Sequence, residues 1–178
     1  MTMHGLIIRE VGGQPVALRL TVGACFGVEE EVEGGIGDAM KRIQVGSFTL
    51  KEIRAVIKHL VVGGGMDPLD AHKLVAGLRL HDIEDIRRAC LDASIASWAN
   101  SKNTGTTSAA GSSSKFDRGD VYESAFSIGL KPAEVDALTV WEWERVIAGW
   151  NLAHGAPAGG GGGGVAKDEM AALIAKYG

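Results

Sequence analysis

The sequence predicts a mainly α protein with an N-terminal β-hairpin, an α+β chain with a larger helical N-terminal unit and a small all-α C-terminal unit. Three observations carry this. Val16, Leu18 and Leu20 alternate with Ala17, Arg19 and Thr21 behind Gly12-Gly13, a period of two beside a turn. Leu50, Ile53, Val56, Ile57, Leu60 and Val61 form one stripe of period 3.6. Between Asn100 and Lys115 the chain is nearly all Gly, Ser, Thr, Ala and Asn, too poor in large apolar groups to offset its ordering entropy.

The elements follow in order. Leu6-Ile7-Ile8 and Val16 to Leu20 read as the two strands, with Gly12-Gly13 supplying the positive φ of the turn. A lone hairpin is marginal in water, so it must pack on helices or on another chain. Thr21 is placed to cap a helix through Cys25, Phe26 and Val28 to Val32, which Gly34-Gly35 stops. A short helix around Asp38 to Ile43 ends near Gly46. Thr49 with Glu52 forms a capping box for the helix carrying the main stripe, and Gly63-Gly64-Gly65 ends it as a joint. Asp67-Pro68 opens a helix with Leu69, Ala71, Leu74, Val75 and Leu78. The last N-terminal helix runs from about His81 to Ala99.

Beyond the polar segment, Asp117 caps a helix with Val121, Tyr122, Ala125 and Phe126, and Gly129 ends it. Pro132 starts a further turn of helix. Thr139 with Glu142 caps a helix whose apolar face is Trp143, Val146, Ile147 and Trp150. After Gly159 to Gly164, Lys167 to Tyr177 places Met170, Leu173, Ile174 and Tyr177 at helical spacing. The expected organisation is a hairpin-plus-helical domain at 1–100, a flexible linker at 101–115, a small helical domain at 116–154, a Gly-rich linker at 155–166 and an amphipathic helix at 167–178.

Composition narrows the function. Of 178 residues, 46% are hydrophobic and 22% charged, ordinary for a globular protein, and a net charge of −4 gives no basic field to recommend nucleic acid. No stretch reads as a signal peptide or membrane span. The two cysteines, Cys25 and Cys90, lie in apolar helical patterns and read as free buried thiols. The five histidines fall in no ligand spacing, and adjacent Glu29, Glu30 and Glu31 point in different directions on a helix, so no metal is expected. The glycine runs match neither a dinucleotide fingerprint nor a phosphate loop. No catalytic residue, cofactor or small-molecule ligand is expected, and the chain reads as a non-enzyme.

What remains points to protein partners. Trp141 stands off the face shared by Trp143 and Trp150, which makes it a candidate contact residue. Trp143 and Trp150 read equally as the core of a small helical unit. Met170, Leu173, Ile174 and Tyr177 form a stripe that needs burial on its own domain or on a partner. All seven are candidate partner-binding residues. Uncovered strand edges favour self-association.

The stretches Leu18-Arg19-Leu20-Thr21-Val22-Gly23-Ala24, Glu29-Glu30-Glu31 and Lys51-Glu52-Ile53-Arg54-Ala55-Val56-Ile57 before a triple-glycine turn resemble the small proteins encoded near the tape measure gene of siphophages and alphaproteobacterial gene transfer agents. Phe116-Asp117, Ile128 to Glu134, Ala137-Leu138-Thr139 and Glu169 to Ile174 resemble the companion tail assembly chaperone, made in related phages as a frameshifted extension of the upstream protein. The resemblance implies a chaperone that coats the tape measure protein and recruits tail tube subunits. It implies action in the cytoplasm of the bacterial host and absence from mature particles. The tryptophan-rich helix departs from the family pattern. The alternative is a permanent tail or connector component, for which the hairpin would add to a neighbour's sheet.

Overall fold

A computed structural model describes residues 3–98 and 117–155. The observed class is the expected one, mostly helical with a single N-terminal hairpin. The contacts divide the chain into two units, Met1–Glu144 and Arg145–Gly178.

The hairpin consists of β1, Ile7–Val11, and β2, Gln14–Leu18, antiparallel with Val11 opposite Gln14 and Ile7 opposite Leu18. Gly12 and Gly13 have φ of 61° and 80°, the pair of positive values that a two-residue turn needs to match strand twist. Val11, Val16 and Leu18 are buried.

Five helices follow. They are α1, Val22–Glu31; α2, Gly35–Val45; α3, Leu50–Gly63; α4, Pro68–Ala76; and, after a 3₁₀ turn at Leu80–Asp82, α5, Ile83–Trp98. The caps are those the sequence encodes. Thr21 accepts from Ala24 N, Thr49 and Glu52 close a capping box, and Asp67 accepts from Leu69 N ahead of Pro68. The stripe of α3 is the centre of the core: Ile53, Val56, Ile57, Leu60 and Val61 are all buried. Helix α3 touches α1, α2, α4, α5 and β2.

Gly63-Gly64-Gly65 is more than a joint. The end of α3 lies against β2, and Arg19 N donates to Leu60 O at 3.0 Å. A Cβ on Gly63 would meet the Arg19 carbonyl and one on Gly64 the Ala17 carbonyl. The two backbones can approach this closely only without side chains between them.

Three more helices, α6, Arg118–Ser127, α7, Pro132–Asp136, and α8, Val140–Ala153, complete the eight α-helices among the described residues. Asp117 caps α6 through Gly119 N and Asp120 N, and Gly129 (φ 82°) ends it. The expected boundary, with one domain ending at 100 and another starting at 116, is not where the contacts divide. Residues 117–144 belong to the same unit as the hairpin and α1–α5. Val22 N donates to Leu138 O at 2.7 Å, and Thr21 and Thr139 form an antiparallel bridge. A polar connector in the sequence shows that two segments are joined without apolar residues, not that they fold apart. The expected linkers at 101–115 and, apart from Gly155, at 155–166, and the helix at 167–178, lie outside the described residues.

Candidate functional site

Two regions of the first unit bear on function: the seam that receives α6–α8, and a groove between α3 and α4.

The seam is organised by Arg19, which follows β2. Its side chain is 5% exposed, and each of its three nitrogens donates one hydrogen bond. Nε donates to His4 O at 2.8 Å, Nη1 to Ala137 O at 2.7 Å, and Nη2 to Glu142 Oε2 at 2.7 Å. Charge in so dry a place is tolerable when it is paired and hydrogen-bonded, and the planar fork of Arg reaches three partners at once. Glu142 also accepts from Thr139 N at 2.7 Å, so one carboxylate caps α8 and neutralises Arg19. Beside it, His4 Nδ1 sits 3.2 Å from Thr139 Oγ1.

Around α1 a second set of contacts holds α6 and α7. The Phe26 ring meets Tyr122 edge-on at 5.6 Å, and the Arg118 guanidinium lies 4.9 Å over Phe26. The Tyr122 hydroxyl donates to Asp136 at 2.8 Å. Burial and that neighbouring carboxylate push the phenol above its ordinary value. Arg118 also pairs with Glu30 at 2.9 Å.

The candidate tryptophans separate. Trp141 stacks on the His4 ring at 4.5 Å, so its indole is engaged within its own unit. Trp143 is buried in that unit. Trp150 belongs to the second unit, is 36% exposed, and stacks on His154 at 4.2 Å. Met170, Leu173, Ile174 and Tyr177 lie outside the described residues.

The groove between α3 and α4 was not legible beforehand. It has a volume of about 440 Å³, a floor of Leu50, Ala55 and Val75, and a rim carrying Lys51, Arg54 and Lys58. Leu50 ends the apolar stripe of α3 and stays 37% exposed, a residue the stripe alone assigned to the core. The signal available in sequence was the Lys51, Arg54 and Lys58 series, spaced three and four apart on one helix face. At one end of the groove Glu31 binds Lys58 and His59. Burial opposes the Glu31 charge, but those two hydrogen bonds outweigh it and hold the carboxyl below its usual range. Burial likewise lowers His59.

Both cysteines are free and buried. Burial, reinforced by Glu29, pushes the Cys25 thiol to about 12, and burial raises Cys90 too. Neither is a nucleophile at neutral pH. Among the described residues no cluster of His, Cys, Asp or Glu is placed to hold a metal ion, and no helix is long and apolar enough to cross a membrane.

No curated protein and no solved structure matches the chain. The family described as phage tail tube protein, GTA-gp10, matches residues 5–93, the hairpin and α1 to most of α5. That match covers 89 of 178 residues, half of the chain, and the protein therefore belongs to this phage tail and gene transfer agent family.

Proposed function

We propose that the protein is a tail assembly chaperone, which coats the tape measure protein and recruits tail tube subunits while the tail is built. Family membership supports a place in the tail, and the groove between α3 and α4 carries the finer reading. An apolar floor with a cationic rim, set between two helices, suits an amphipathic helix whose flank is acidic. A long helical tape measure offers such segments repeatedly. Each groove of this size buries too little to hold alone, so contacts stay weak and replaceable. Recruitment of tail tube protein is assigned to Trp150 and to the stripe of Met170, Leu173, Ile174 and Tyr177. The protein would act in the host cytoplasm, without enzymatic activity, and leave before the particle matures.

The second reading is a permanent tail or connector component, favoured by the words of the family description. Two measurements separate them. Co-expression with the tape measure protein should keep that protein soluble, and Leu50→Glu with Lys51→Glu should abolish the effect while the chain stays folded. Purified particles should lack the protein. Its presence there in fixed stoichiometry, with tape measure solubility unaffected by the two substitutions, overturns the chaperone reading. Replacing Leu173 and Ile174 with Ser should abolish capture of tail tube protein and leave tape measure solubility intact.

A further inference from the structure

The two edges of the hairpin are not equivalent. Its register fixes which backbone groups face outward. The two-residue turn makes Val11 and Gln14 a hydrogen-bonded pair, and bonding then alternates, so Arg9 with Val16 and Ile7 with Leu18 are bonded pairs too. Ile8 and Glu10 on β1, and Pro15 and Ala17 on β2, therefore turn their N–H and C=O groups away from the hairpin.

The β2 edge is closed three times over. Pro15 has no N–H to offer, the Ala17 carbonyl lies against Gly64, and Arg19 N is already bonded to Leu60 O. The β1 edge is open. Among the described residues no backbone group bonds to the outward N–H or C=O of Ile8 or Glu10. Among the described residues one side-chain hydrogen bond reaches this edge: Arg9, paired with Asp92 of α5, donates from Nη1 to Ile8 O at 2.9 Å. Ile8 itself is 65% exposed, an apolar side chain in the middle of an unpaired edge.

We infer that β1 is the edge by which two copies of this chain pair, antiparallel, with Ile8 opposite the Ile8 of the second copy. The choice of a second copy rests on symmetry and charge. An outward residue placed on a two-fold axis exchanges both of its hydrogen bonds with itself, and Ile8 is such a residue. In this register the two Ile8 side chains meet, Arg9 faces Ile7, and Glu10 faces Leu6, so no like charges stand directly opposite. Registers centred on Arg9 or Glu10 place a charge against its own kind, and one centred on Ile7 leaves only Ile7 of each strand in the overlap. Arg9 need only release Ile8 O and keep Asp92, while Leu6 N exchanges Met3 O, 3.3 Å away, for Glu10 O of the second copy. Because each copy has one open and one closed edge, pairing ends at two copies and gives a four-stranded sheet rather than a fibre. This assignment is independent of the tail-assembly reading.

The test uses the full chain. Bonded antiparallel partners have Cα atoms about 5.5 Å apart, inside the range of about 4.4–6.8 Å that a disulfide bridges. Under mild oxidation Ile8→Cys should give a covalent dimer, while Glu10→Cys should not, and the buried native thiols set the background. Glu10→Pro removes only an outward donor, since Glu10 lies opposite Pro15 at a non-bonded position, and should raise the dimer dissociation constant about tenfold or more with an unchanged circular dichroism spectrum. Ile8→Lys should do the same. A wild-type chain that sediments as a monomer over a hundredfold concentration range overturns the inference, as does equal cross-linking by the two cysteine variants. An edge that takes up a strand from another protein while the chain alone stays monomeric also overturns it.

Discussion

Arg19 and Glu142 stand 123 positions apart in the chain and 2.7 Å apart in the fold, with the guanidinium nearly sealed from solvent. Replacing Arg19 with Ala leaves the Glu142 carboxylate without its cation and the carbonyls of His4 and Ala137 without this donor. Breaking a buried pair on one side costs about 3–5 kcal/mol, and urea unfolding should show a loss of that order. Arg19→Lys should recover only part of it, because an ammonium cannot serve His4, Ala137 and Glu142 from one plane.

The same seam predicts the fate of a nicked chain. Protease cutting within residues 101–114, where the composition offers no apolar hold, should yield two fragments that co-elute on gel filtration and part only in denaturant. Contacts of Tyr122 with Phe26, Asp136 with Gly23 and Leu138 with Val22 on α1 are the reason. Fragments that separate in plain buffer would restore the two-domain organisation.

Glycine-to-alanine substitution should have opposite signs at two sites. At Gly64 a Cβ meets the Ala17 carbonyl of β2, which cannot swing aside, so Gly64→Ala should destabilise by about 1–3 kcal/mol. At Gly37, inside α2 with open space around it, the same change should stabilise by about 0.5–1 kcal/mol. Thermal melts of the two variants check both.

Acid should weaken the fold in two steps. Burial holds His59 below its ordinary 6.5, so the folded chain takes up that proton less readily than the unfolded one. Stability is therefore full above pH 6.5 and falls as pH drops through the folded value. Glu31, held below its ordinary 4.5, adds a second loss as pH falls below that range. His59→Asn should flatten the upper part of the melting temperature profile and shrink the lower part, because Glu31 then keeps Lys58 as its only charged partner. A profile that keeps its upper slope in that variant would remove His59 from the account.

Local signals were legible in the sequence where a residue acts on its own neighbours. Thr21, Thr49, Asp67 and Asp117 cap the helices they precede, and the stripe of α3 became the centre of the core. What depends on distant partners was not. Nothing near Arg19 in sequence announces Ala137 or Glu142, and nothing near Trp141 announces His4. Gly63-Gly64 read as a joint because a close approach and a hinge call for the same residue. Leu50 shows the limit of periodicity, which assigns a face but not whether a neighbour covers it.

The reach of Arg19 also sets a clock. At ribosomal speeds of about 5–20 residues per second, Glu142 follows Arg19 by about 6–25 s. Through that interval the hairpin and α1–α5 can gather, but the Arg19 cation waits with its counter-charge not yet made. The N-terminal region therefore reaches its final stability only once Glu142 has been made, and any product that stops before residue 142 keeps that vacancy for its lifetime.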